Sequence, residues 1–150
     1  MNKLITIALA LALAPAAGTV FAQVTPVGLW KTIDDKTGKE RSHVRITESA
    51  GVLSGRVEKR LDPNAKPEDV CDKCSDDRKG QTLQGLEIIR SVKKSEGEAD
   101  LWDGGTVLDP EEGKIYKVRL KPVDGGKKLE LRGYIGLPLL GRTQTWIRAE

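Results

Sequence analysis

Lys114-Ile115-Tyr116-Lys117-Val118-Arg119-Leu120-Lys121-Pro122-Val123, then Asp124-Gly125-Gly126, then Lys127-Lys128-Leu129-Glu130-Leu131-Arg132-Gly133-Tyr134-Ile135 is the stretch that decides the fold. Apolar and charged residues alternate through both flanks, so each flank turns one face to a core and the other to water, as a half-buried strand does. The Asp-Gly-Gly between them is hairpin chemistry, because aspartate bonds its own backbone and glycine accepts positive φ. A further strand, Arg142 to Arg148, follows the apolar loop Leu137-Pro138-Leu139-Leu140.

The same rhythm runs back toward the N-terminus. Gly28 to Asp34 reads as a first strand, closed by the turn residues Asp34-Asp35-Lys36-Thr37-Gly38, with Arg41 to Glu48 and Val52 to about Arg60 as the second and third. Gly85 to Val92 is a fourth, and Ala99 to Trp102 continues toward Leu108 as a fifth. Gly104-Gly105 inside the fifth marks a bulge or sharp bend. No long helical stripe interrupts the series. Eight short strands in successive hairpins predict an all-β, antiparallel, up-and-down barrel, whose closure removes the exposed edges; an open β-sandwich is the alternative. Only Leu61 to Thr82 lacks any period, and it holds both cysteines.

Met1 to Ala22 reads as an export signal. Lys3 supplies the positive start, Leu4 to Ala14 an apolar run too short to span a bilayer, and Val20 and Ala22 the small residues that a signal peptidase accepts. Cleavage is expected before Gln23, leaving residues 23–150 as one β-barrel domain in the bacterial periplasm or secreted, where cysteines oxidise. Gln23 stands where a lipoprotein anchor needs cysteine, and no other apolar stretch is long enough for a membrane helix. The whole chain carries 25 Lys and Arg against 22 Asp and Glu. That near balance argues against a dedicated nucleic-acid binder.

Cys71-Asp72-Lys73-Cys74 admits three readings. Structural zinc needs about four ligands, and two cysteines with the lone His43 do not supply them. Thiol exchange needs a depressed thiol pKa, whereas Asp62, Glu68, Asp69, Asp72, Asp76 and Asp77 surround this motif and raise it. A structural disulfide fits best, pinning the insertion and restricting the unfolded chain by roughly 2 kcal/mol. Those six carboxylates meet no calcium-loop pattern and read as a solvated acidic loop. His43 lies on the polar side of its strand. No metal, cofactor or catalytic residue is expected, and the chain is not read as an enzyme.

Gly28-Leu29-Trp30 opens the first strand. In barrels of the lipocalin and fatty-acid-binding kind, a Gly-x-Trp here lays its indole across one end, with a late arginine on its face; Arg142 and Arg148 are both placed for that. Read with Lys31-Thr32, the Cys-x-x-Cys insertion, Gly104-Gly105-Thr106-Val107-Leu108-Asp109-Pro110, Gly113-Lys114-Ile115-Tyr116 and Leu131 to Arg148, the chain resembles the exported bacterial family known as domain of unknown function 2147. The resemblance implies a small lipocalin-like barrel in the bacterial envelope and carries over no catalytic residue.

Strand periodicity groups Arg132 and Tyr134 with Gln144 and Trp146, and sets Leu129, Leu131 and Ile135 on the other side. With the first group inward, Trp30, Arg132, Tyr134, Gln144 and Trp146 are the candidate pocket for a small amphipathic ligand. The other expectation is an interaction role with an envelope protein, through the Cys71 to Cys74 loop or the Leu137 to Leu140 loop.

Overall fold

The structure, a computed structural model, describes residues 24–150; the expected leader lies outside the described residues. Eight strands follow in chain order: β1 (Gly28–Ile33), β2 (Glu40–Ser49), β3 (Val52–Arg60), β4 (Glu87–Lys94), β5 (Trp102–Asp109), β6 (Lys114–Val123), β7 (Lys128–Tyr134) and β8 (Arg142–Arg148). Each is antiparallel to the next. β8 returns to β1 through Trp30↔Arg148 and Lys31↔Ile147, so the sheet closes into a barrel and the open sandwich does not form.

Alternation drives the closure. Val44 and Ile46 of β2, Leu53 and Val57 of β3, and Val118 and Leu120 of β6 are all buried in one interior cluster, while Arg45, Arg56 and Arg119, which alternate with them, take the outer face. The register breaks at Gly105, as the paired glycines anticipate. A side chain there has no room: a Cβ would stand 2.1 Å from the Arg90 carbonyl oxygen of β4.

Trp30 closes one end of the barrel. Its ring is fully buried, its Nε1 donates to Pro26 O at 2.7 Å, and the Arg148 guanidinium lies over its face. Arg148 in turn donates to the carbonyls of Thr25 and Val27, at 2.8 Å each. Gly28 makes this possible, because at φ +141° a Cβ would sit 2.4 Å from an Arg148 guanidinium nitrogen. The structure thus selects Arg148 as the stacking arginine and sends Arg142 to the opposite end.

That opposite end is the mouth, bounded by the turns at 34–39, 110–113 and 135–141 and by the insertion at 61–86. The insertion runs four residues beyond the expected Thr82, because β4 begins at Glu87 and not at Gly85. Cys71 and Cys74 are bonded to each other, and both are buried. Of the six carboxylates expected to form a solvated loop, Asp62, Glu68 and Asp72 are exposed with no ion pair among the described residues, whereas Asp76 holds the buried Arg78, Asp77 holds Arg90 at 2.8 Å, and Asp69 holds Arg60 at 2.7 Å. Arg78 also donates to Glu87 O at 2.9 Å, which ties the insertion to the start of β4. Its far side rests on the β5–β6 turn, where a Cβ on Gly113 would meet Lys73 O at 2.0 Å.

Candidate functional site

A cavity of about 350 Å³ opens at the mouth, at the small end of the roughly 300–1,000 Å³ typical of small-molecule sites. Its walls are apolar: Val57, Val107, Leu131 and Trp146 are buried, and Tyr116 and Leu83 are partly so. Three polar groups lie among them. Thr32 and Ser42 share a 2.8 Å hydrogen bond between their hydroxyls, and Gln144 accepts from Trp146 Nε1 at 3.2 Å.

The rim is mixed in charge, with Arg41, Arg60 and Arg142 standing among Asp62, Asp109, Glu111 and Glu112. Arg41 pairs with Glu111, Arg142 with Asp35, and Arg60 with Asp69. The Arg41–Glu111 pair joins the start of β2 to the β5–β6 turn across the opening, whereas the other two join neighbouring segments of the rim. The Arg41–Glu111 and Arg142–Asp35 pairs are largely exposed, so each contributes little to stability, about 0–1 kcal/mol, and an incoming anion can replace the loop carboxylate at small cost; Arg60–Asp69 is half-buried. Tyr116 hangs from β6 with its hydroxyl 3.3 Å from Glu112, and burial together with that carboxylate pushes its pKa up, keeping the phenol neutral.

The five candidate pocket residues divide. Gln144 and Trp146 line the cavity, whereas Trp30 belongs to the closed end and Arg132 and Tyr134 stand on the outer wall. The reason is register. β7 and β8 pair as Leu131↔Gln144 and Leu129↔Trp146, so odd positions on β7 share a face with even positions on β8, the reverse of the grouping expected from the sequence. Leu129 and Leu131 therefore join Trp146 inside. The apolar alternation of β7 itself carried this signal, since its leucines mark the core side and leave Arg132 and Tyr134 outside. Arg41, Arg60 and Tyr116 join the site with no local signal in the sequence, because rim position depends on strand length and loop placement.

His43 also lies on the outer wall, opposite Lys31 and Lys59. Its Nε2 is 3.8 Å from the Glu40 carboxylate. Ser42, on the cavity side, has Thr32 as its neighbour and no base beside it. Among the described residues no three metal-ligating side chains gather, and no helix is long and apolar enough to cross a membrane.

An up-and-down eight-stranded barrel, plugged by tryptophan at one end and hollow at the other, is the lipocalin-like architecture. A solved structure of protein HP1028 from Helicobacter pylori, described as belonging to the lipocalin family, shares the fold with a TM-score of 0.72 over 85% of each chain, at 22% sequence identity. Over residues 28–148 the chain matches the family described as an uncharacterized protein conserved in bacteria (DUF2147), and it belongs to that family. No curated protein matches the chain.

Proposed function

We propose that this protein is an exported, periplasmic binding barrel that carries a small amphipathic anion, and that it catalyses no reaction. The observation that supports the reading is an apolar cavity whose charged rim holds Arg41 and Arg142, each paired only with loop carboxylates that a ligand anion can replace. An acyl or aromatic tail fits against Leu131, Val107 and Trp146, and its carboxylate or phosphate exchanges with Asp35 or Glu111 on Arg142 or Arg41. The lipocalin-like fold supports it at the level of architecture.

Native mass spectrometry of protein purified from its own host tests this directly, because a retained small mass is expected. Fluorescence of Trp146 should also shift and saturate with at least one of fatty acids, lysolipids and small anionic metabolites. Silence across that panel with no bound mass would remove the carrier reading. A stoichiometric co-purifying envelope protein would move it to an interaction module.

A further inference from the structure

The loop joining β7 to β8 presents its apolar side chains to water. Ile135, Leu137, Leu139 and Leu140 are 69%, 65%, 85% and 77% exposed. The backbone beneath them is fastened. Arg132 donates from Nε to Pro138 O at 2.6 Å and from Nη2 to Leu139 O at 3.1 Å, and the 3-10 turn Pro138–Leu140 closes with Leu140 N donating to Leu137 O at 3.1 Å. Because Arg132 sits on the outer wall, it draws the loop outward, and none of residues 135–140 lines the cavity. The result is a braced apolar tip beside the mouth, and not a lid across it.

The wall below the tip is cationic. Arg119 of β6 stands directly opposite Arg132 of β7, and Lys117 stands opposite Tyr134. Like charges facing each other across a strand pair cost stability. No carboxylate among the described residues forms an ion pair with Lys117, Arg119 or Arg132; Arg119 Nε is buried without any partner, and its guanidinium lies 6.0 Å from the Tyr134 ring. The acid on this wall, Glu130, is farther from the tip and faces Lys121.

We infer that this tip docks the barrel on an anionic phospholipid bilayer, with Leu137, Leu139 and Leu140 entering the acyl boundary and Lys117 and Arg119 meeting lipid phosphates. Apolar projections flanked by lysine and arginine complement that surface on both counts, burial and charge. A second copy of the chain fits poorly, since a two-fold contact would lay the Arg119–Arg132 row on its own image. A protein groove would take the leucines but leave the row of cations unanswered. Docking by the tip turns the cavity mouth toward the bilayer, and it holds whether or not the cavity carries cargo.

The test uses residues 23–150, which contain every strand and all of the core, so that the apolar run of residues 4–14 cannot mimic the effect. Cosedimentation with phosphatidylglycerol vesicles, with phosphatidylcholine vesicles and without lipid is compared for wild type, Leu139→Asp/Leu140→Asp and Lys117→Gln/Arg119→Gln. Leu139, Leu140 and Lys117 are exposed and Arg119 is half-buried on the outer wall, and circular dichroism checks that the fold is kept. Wild type should bind the anionic vesicles and lose binding with added salt. The loop variant should bind about tenfold less or weaker still, and the wall variant should lose most of the salt dependence. No binding to anionic vesicles, or equal binding by the loop variant, would overturn the inference. So would a wild-type dimer that Leu139→Asp/Leu140→Asp splits into monomers without any vesicle binding, which would assign the tip to a second copy.

Discussion

The guanidinium carbon of Arg148 lies 4.1 Å from the centroid of the Trp30 ring, and the two residues are cross-strand partners in the β8–β1 pairing that shuts the barrel. One contact therefore serves both as plug and as seam. Arg148 donates to the main-chain oxygens of Thr25, Val27, Gly126 and Glu150, and burial pulls its pKa below the usual guanidinium value.

Replacing Trp30 by Ala should cost about 3–5 kcal/mol, the range for truncating a large buried aromatic. In a double-mutant cycle with Arg148→Ala, the coupling should be about 0.5–2 kcal/mol, as for a partly desolvated cation–π pair. Urea unfolding of the four proteins measures both. A cost below about 1 kcal/mol for Trp30→Ala would contradict the fully buried ring.

Cys71→Ser/Cys74→Ser should leave the barrel closed and loosen residues 61–86, at a cost of roughly 2 kcal/mol. Hydrogen exchange should rise in the insertion and stay unchanged in β6 and β7. Peptide mapping without reductant should recover Cys71 and Cys74 linked.

Acid should loosen the same segment through Asp76. Hydrogen bonds from the buried Arg78 lower the Asp76 pKa from 3.8 to about 2. The carboxylate is therefore worth more to the folded than to the unfolded chain while it is ionised; that contribution is complete above the ordinary value and disappears as pH falls toward about 2. Pepsin cleavage within 61–86 should increase over that window. Asp76→Asn should be cleaved readily throughout it, having lost about 1–3 kcal/mol of charged hydrogen bonding to Arg78.

Cavity occupancy should respond to Gly133→Phe and not to Arg132→Ala. Gly133 faces inward next to Tyr116, and its backbone has room for a Cβ 3.5 Å from the Tyr116 Cβ, so a phenyl ring would fill the hollow. Ligand-induced fluorescence should vanish in Gly133→Phe and in Trp146→Phe. Arg132→Ala should keep it, because that side chain points away from the cavity and braces Pro138 and Leu139.

Intact mass of the exported protein should begin at Gln23, since Val20 and Ala22 suit the small pockets of signal peptidase and Phe21 lies between them. A product that retains Met1 would end the export reading.

Local chemistry made the strands legible. Alternation in Val44-Ile46, Leu53-Val57 and Leu129-Leu131, with glycine and aspartate between, determined eight half-buried segments and a bulge at Gly105, because each of those signals lies within a few residues of chain, and the resemblance of Gly28-Leu29-Trp30 to lipocalin-type barrels marked the plug. The disulfide was legible because its signal is equally local. What only the tertiary structure decided is which distant residues share a face. The register of β7 on β8, set through a loop from Ile135 to Gly141, put Trp146 and Gln144 inside and Arg132 and Tyr134 outside. A shift of β8 by one residue would have put Trp146 and Gln144 on the outside with Arg132 and Tyr134, since side chains alternate with a period of two. The charged rim arose likewise from barrel closure, which gathers Arg41, Arg60 and Arg142 with Glu111 and Glu112 at one end from positions about a hundred residues apart, a proximity that no local pattern encodes.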